Sequence, residues 1–163
     1  MTLLFVRPVR YAASQLLSEK AIQGEMMEIN GVAHIFLTAS NYERSREFNS
    51  RLLPFLGLKP VIDTETTFYC VGGRTAVAIT APSPEHAGAA FEQKRVGLHH
   101  LCFRARERAD IDELHTFLQS LDVKIIRAPR EDQWAPGYYS LLFEDPDGIR
   151  LELNYVPGKG LLG

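Results

Sequence analysis

Between Gly31 and Pro157 the chain runs twice through the same succession of patterns, and this repeat restricts its fold more than any other feature. The first pass opens with Val32–Ala39 (VAHIFLTA), an apolar run that reads as a strand. Ser40 and Glu43 follow at the S-x-x-E spacing of a capping box, and the helix they predict continues through Phe48, Leu52 and Leu53. Pro54 lacks an N–H, so the helix is expected to kink or end there, with Gly57 just past its end. Strands are then expected at Leu58–Asp63, Thr67–Val71 and Thr75–Ala81, the last two joined at Gly72-Gly73. The second pass begins with Leu98–Arg104 (LHHLCFR). A helix starts near Asp110 and Glu113, with Ile111, Leu114, Phe117, Leu118 and Leu121 on one apolar face. Val123–Ala128, Tyr138–Glu144 and Ile149–Tyr155 complete the set, with a turn at Asp145-Pro146-Asp147-Gly148.

The repeat predicts an α+β fold of two βαβββ modules, residues 31–81 and 97–156. The linker, residues 82–95, holds Pro82, Pro84 and Gly88 and has room for a short helical turn. One module alone leaves a sheet face bare. Two modules can wrap those faces around a shared cavity, giving a curved, cup-like mixed sheet with the helices outside. The chain's 163 residues suit one such domain, here residues 29–158. Residues 1–28 carry no copy of the repeat. Their run Leu3–Val6 is too short for a signal-peptide core, whereas Ala12, Leu16 and Ala21 would stripe a short helix. This leader is expected to be dispensable for folding.

A net charge of -2 is not the basic balance of a nucleic-acid binder. No apolar run approaches the roughly 20 residues of a membrane span. A small-molecule substrate is therefore expected, with neither nucleic acid nor membrane as partner, and a cytoplasmic location is the default. Cys70 and Cys102 lie in apolar runs and read as buried, reduced thiols.

Alternation along the strands places the candidate ligands. His34, Phe36 and Thr38 share one face, as do His100, Cys102 and Arg104 at the matching place in the second module. In the last strand Glu152 and Asn154 face away from Leu151 and Leu153. A glutamate set between leucines in a buried strand is unfavourable unless it is paired or binds a cation. Taken singly, His34 or Glu152 is an ordinary strand residue; the coincidence of His34, His100 and Glu152 across the repeat favours a metal site. Imidazole and carboxylate donors suit Fe(II), Mn(II), Zn(II), Ni(II) or Co(II). His99 alternates to the opposite face and is assigned to packing or to support of the ligands, while His86 and His115 are assigned to the surface.

If Pro146-Asp147 forms a two-residue turn, Leu141 lies opposite Glu152 and Tyr139 opposite Asn154. Tyr139 would then be a catalytic phenol, donating a hydrogen bond to a developing oxyanion, with Phe36, Cys102 and Asn154 lining the substrate pocket. The same register puts Glu144 on the other face. Trp134–Gly137 is expected to form a loop at the cavity mouth, and Arg104 and Arg150 are available to an anionic substrate.

The motifs HIFL, GLHHLCF and FEDPDGIRLEL resemble the vicinal oxygen chelate superfamily of glyoxalases, bleomycin-resistance proteins, fosfomycin-resistance enzymes and extradiol dioxygenases, over Gly31 to Pro157. The resemblance implies that His34 opens the first module, His100 opens the second and Glu152 closes it, all three as metal ligands. Four-ligand glyoxalases carry a carboxylate at the end of module one, where this chain has Ala78. The resemblance is thus to the three-ligand members, whose 2-His-1-carboxylate set leaves coordination positions open. It implies a metal-dependent lyase or isomerase that uses a divalent ion as Lewis acid on a small oxygen-chelating substrate. The alternatives are an extradiol-type dioxygenase and a non-catalytic drug- or metabolite-binding protein of the bleomycin-resistance type. A homodimer is expected, since open sheet edges invite pairing.

Overall fold

A computed structural model of the chain describes Ile29 and residues 31–158, so the leader and the helix expected in it lie outside the described residues. The first module consists of β1 (His34–Thr38), α1 (Tyr42–Phe55), β2 (Lys59–Asp63), β3 (Thr67–Val71) and β4 (Ala76–Thr80). A 3-10 turn at Pro84–His86 occupies the linker. The second module consists of β5 (Leu101–Arg104), α2 (Ala109–Ser120), β6 (Ile125–Glu131), β7 (Tyr139–Glu144) and β8 (Arg150–Tyr155). The strand orders β1-β4-β3-β2 and β5-β8-β7-β6 are the same, and in both the first strand pairs parallel with the last. The repeat in the sequence is therefore a repeat in topology. It yields two four-stranded mixed sheets rather than one continuous sheet.

The start of α1 differs from the capping box read in the sequence. Asn41 is the N-cap, its side chain accepting from the Arg44 N–H at 3.0 Å. Ser40 turns instead to the other module, where its N–H and hydroxyl donate to the two carboxylate oxygens of Asp147 at 2.8 and 2.6 Å. Arg44 donates to the Pro146 carbonyl at 2.5 Å, so the entrance to α1 is fastened to the β7–β8 turn. Pro54 sits in the last turn of α1, and Gly57 follows at φ 83, a left-handed conformation that glycine takes without strain.

Each helix covers one face of its own sheet. Leu53 of α1 packs with Leu37, Phe68 and Val77, and α2 packs Ile111, Leu114 and Leu118 on Leu141, Phe143 and Leu151. Leu52 of α1 is fully buried in the second of these cores, and Phe55 stacks on Phe117 of α2 at 4.0 Å between ring centroids. Helix α1 thus stands between the first sheet and the second core. Both sheets keep a helix-free face, and both carry a proline in an edge strand, Pro60 in β2 and Pro129 in β6. A proline cannot donate to an added strand, which blunts these two edges.

The β7–β8 turn also fixes the register of the site. Glu144 pairs with Arg150, and Asp145 accepts the Asp147 and Ile149 N–H groups at 2.9 and 2.8 Å. Burial pushes the Asp145 carboxyl up to about 6 despite these donors. A folded value above the unfolded one means that protonation favours the folded state. The resulting stability is present below about pH 4 and is lost as pH rises through about 6. Relative to Asp145→Asn, the wild-type protein is expected to lose roughly 2–3 kcal/mol over that window. Urea unfolding of both proteins at pH 4.5 and pH 7 checks this; parallel profiles would refute it.

Candidate metal centre

The helix-free face of the second sheet gathers most of the polar side chains read as site residues. Cys102 lies opposite Glu152, Glu152 opposite Leu142, and Asn154 opposite Ser140. Glu152 is 7% exposed, and its two oxygens have different partners. Oε1 accepts from the Tyr138 hydroxyl at 2.8 Å and from Arg127 Nη2 at 3.1 Å. Oε2 is 3.4 Å from His100 Nε2. Two donors each about 2.1 Å from one ion at a tetrahedral angle would be separated by about the same distance. Oε2 and Nε2 therefore fit as two ligands of a divalent metal. Arg127 donates to Ser140 Oγ at 2.7 Å and also pairs with Asp132. Arg130 lies 3.4 Å from the same Asp132, so the two carboxylates of this network face two guanidiniums.

His34 occupies the corresponding face of the first sheet. It makes an edge contact with Phe36 at 5.4 Å, and Phe36 stacks on Tyr69 at 5.8 Å. Phe36 is 55% exposed, because no helix covers this side. The register sets Phe36 opposite Ala78, as it sets Cys102 opposite Glu152, so Ala78 is the counterpart of Glu152 in the first module. Among the described residues no group of three His, Cys, Asp or Glu side chains comes together to hold a metal. One chain brings His100 to Glu152 and leaves His34 outside the cluster.

A family model, that of the Glyoxalase/Bleomycin resistance protein/Dioxygenase superfamily, matches residues 31–153. The chain belongs to this superfamily. Among solved structures, a glyoxalase-type protein from Bacillus halodurans is 26% identical, with a TM-score of 0.67 over 78% of this chain and 96% of that one. A lactoylglutathione lyase from Agrobacterium tumefaciens, 20% identical, has a TM-score of 0.58 over 79% and 96%, and shows the same fold. Protein YqjT of Bacillus subtilis (strain 168) is 28% identical over 74% of this chain and 94% of its own length.

Within this superfamily fold, Tyr139 does not enter the site as expected. The β7–β8 turn has three residues at its tip, Pro146-Asp147-Gly148, with Gly148 at φ 88, so Leu142 rather than Leu141 faces Glu152. A slip of one residue reverses every side chain on β7. Tyr139 faces the helix, donates to Asp112 at 2.7 Å and lies under Arg108. Tyr138 reaches Glu152 in its place. Burial foremost, with the Glu152 carboxylate adding to it, pushes the Tyr138 phenol up to about 12, so it stays protonated as a donor. The same slip brings Glu144 to the Glu152 face, tied to Lys124 at 2.8 Å and to Arg150.

Two further readings change. Cys70 is buried, but Cys102 is exposed, because β5 has no helix over its open face. Its sulfur lies near Glu152, Tyr138 and Arg127, and partial desolvation with the Glu152 charge pushes the thiol up to about 12. Trp134 is 80% exposed in the loop between β6 and β7. Arg150 lies 3.9 Å from Glu144 and is half-buried, whereas Arg104 is exposed on the site face. Arg127 escaped the sequence reading because β6 carries two irregularities, on either side of Arg127, that break its alternation.

Proposed function

We propose that this protein is a divalent-metal-dependent enzyme whose centre is shared between two copies of the chain, His34 from one and His100 with Glu152 from the other. The observation that carries the reading is the buried Glu152, held through Oε1 and presenting Oε2 beside His100 Nε2 on an uncovered sheet face. Sharing between copies is supported by the placement of α1 between the first sheet and the second core. His34 and Glu152 lie on the helix-free faces of the two sheets, and a second copy of the chain would bring such faces together. The reading favours a homodimer joined through faces.

A metal in this centre would act as Lewis acid on a small substrate that offers two oxygens. The protein residues have separate tasks. Tyr138 and Arg127 hold Glu152 so that one oxygen is free for ligation. Phe36 and Tyr69 supply an apolar wall, and Arg104 and Asn154 a polar one. Ala78, fully buried beneath the aromatic pair, supplies neither charge nor base. Lyase or isomerase chemistry is favoured over oxygen-dependent ring cleavage.

The test is metal analysis of protein purified without chelator, with titration of the stripped protein by Fe(II), Mn(II), Zn(II), Ni(II) and Co(II). About one ion per chain is expected. Absence of binding by all five would sink the reading and favour a metal-free binding protein. Oxygen uptake by the iron-loaded protein with a catechol probe would replace the lyase or isomerase reading with a dioxygenase one.

A further inference from the structure

His99 and His100 precede β5, so strand alternation does not apply to them, and their rings meet. Their Nδ1 atoms are 2.7 Å apart and their planes lie at 78°. The Gln93 side-chain amide donates to the His99 carbonyl and anchors that backbone. Two imidazole nitrogens this close share one proton, since two lone pairs or two N–H groups would repel. The shared proton decides what His100 presents to Glu152. If His99 holds it, neutral His100 carries its own proton on Nε2, the nitrogen a metal would need. If His100 holds it on Nδ1, Nε2 has a free lone pair.

Ligation through Nε2 requires the second arrangement, and the geometry provides for it. In it Nδ1–H of His100 has an acceptor, His99 Nδ1, at 2.7 Å, and the Nε2 lone pair is turned to Glu152 Oε2 at 3.4 Å, the spacing of two donors to one cation set between them. We infer that His99 is a positioning residue, which accepts the Nδ1 proton of His100 and fixes it in the form that ligates through Nε2. This inference rests on the metal centre proposed above and assigns His99 a role outside the ligand set. A ligand histidine is generally oriented by a partner on its other nitrogen, and loss of such a partner weakens metal binding about tenfold to hundredfold.

The experiment uses the full chain as wild type, His99→Phe and His99→Asn. Nitrogen-15 NMR of the metal-free protein reads which His100 nitrogen carries the proton, and calorimetric titration with Zn(II) and Mn(II) reads affinity. Wild type is expected to be protonated on Nδ1. His99→Phe should move the proton to Nε2 and weaken binding about tenfold to hundredfold. Asparagine can place an oxygen where Nδ1 stood, so His99→Asn should restore both readings. An unchanged His100 tautomer in His99→Phe, or a shifted tautomer with unchanged affinity, would overturn the inference. A shifted tautomer in a protein whose wild type binds neither metal would overturn the metal centre and leave His99 as the acceptor that orients His100.

Discussion

Chains carrying His34→Ala and chains carrying Glu152→Ala, expressed together with different affinity tags, are expected to form mixed dimers that recover metal binding. Each variant alone should bind ~100-fold more weakly or worse, since a ligand contributes several kcal/mol to binding. In the mixed dimer one centre lacks both residues, while the other keeps His34 from one chain and His100 with Glu152 from its partner. Calorimetry on the doubly tagged species should therefore show about one tight site per dimer. Were the centre built within one chain, both sites of the mixed dimer would be damaged and nothing would be recovered. That outcome, or a monomer by light scattering, would sink the shared centre.

Glu152→Gln should abolish tight metal binding while the fold persists, because an amide of the same size cannot neutralise a dication. Seen as a lone carboxylate between leucines, Glu152 predicts a metal-free protein made more stable by this change. Its partners reverse that sign. Arg127 and Tyr138 both donate to Oε1, so the charge is already paired. Removing it leaves Arg127 with Asp132 and the Ser140 hydroxyl, and the metal-free variant is expected to be about 1–3 kcal/mol less stable. Glu144→Gln is the control. It lies on the same face, but its contacts are Lys124 and Arg150. Titration with Mn(II), Fe(II) and Zn(II), together with urea unfolding of the stripped proteins, tests both. Equal loss of affinity at the two positions would refute the assignment of Glu152.

The fold was legible because its strands obey a period of two and its helices one of 3.6, and because the order of elements recurs. Thr67–Val71 falls at its expected limits, and the other strands within a few residues. Glu152 and His34 could be placed for the same reason: β8 and β1 are regular. Legibility failed where the backbone leaves the period. A three-residue turn that looks like a two-residue one exchanged Tyr138 for Tyr139. The irregular β6 concealed Arg127, and the short β5 left His99 free to turn toward its neighbour. Gly148 carried part of this information, since a glycine at the end of D-P-D-G suits the left-handed position of a longer turn. Nothing local could signal that Arg127 and Glu152 meet, because their contact spans 25 positions of the chain.

Leu52 gives the repeat a consequence that symmetry alone would not. It is carried by the first module's helix and buried in the second module's core, so neither half closes its interior without the other. Two βαβββ units with closed cores of their own could sit apart as beads on a string. Here Leu52, the stack of Phe55 on Phe117 and the bonds from Ser40 to Asp147 tie the two together. Ala78, at the place equivalent to Glu152, shows that the halves share a topology without sharing their chemistry: one carries a methyl group where the other carries a carboxylate.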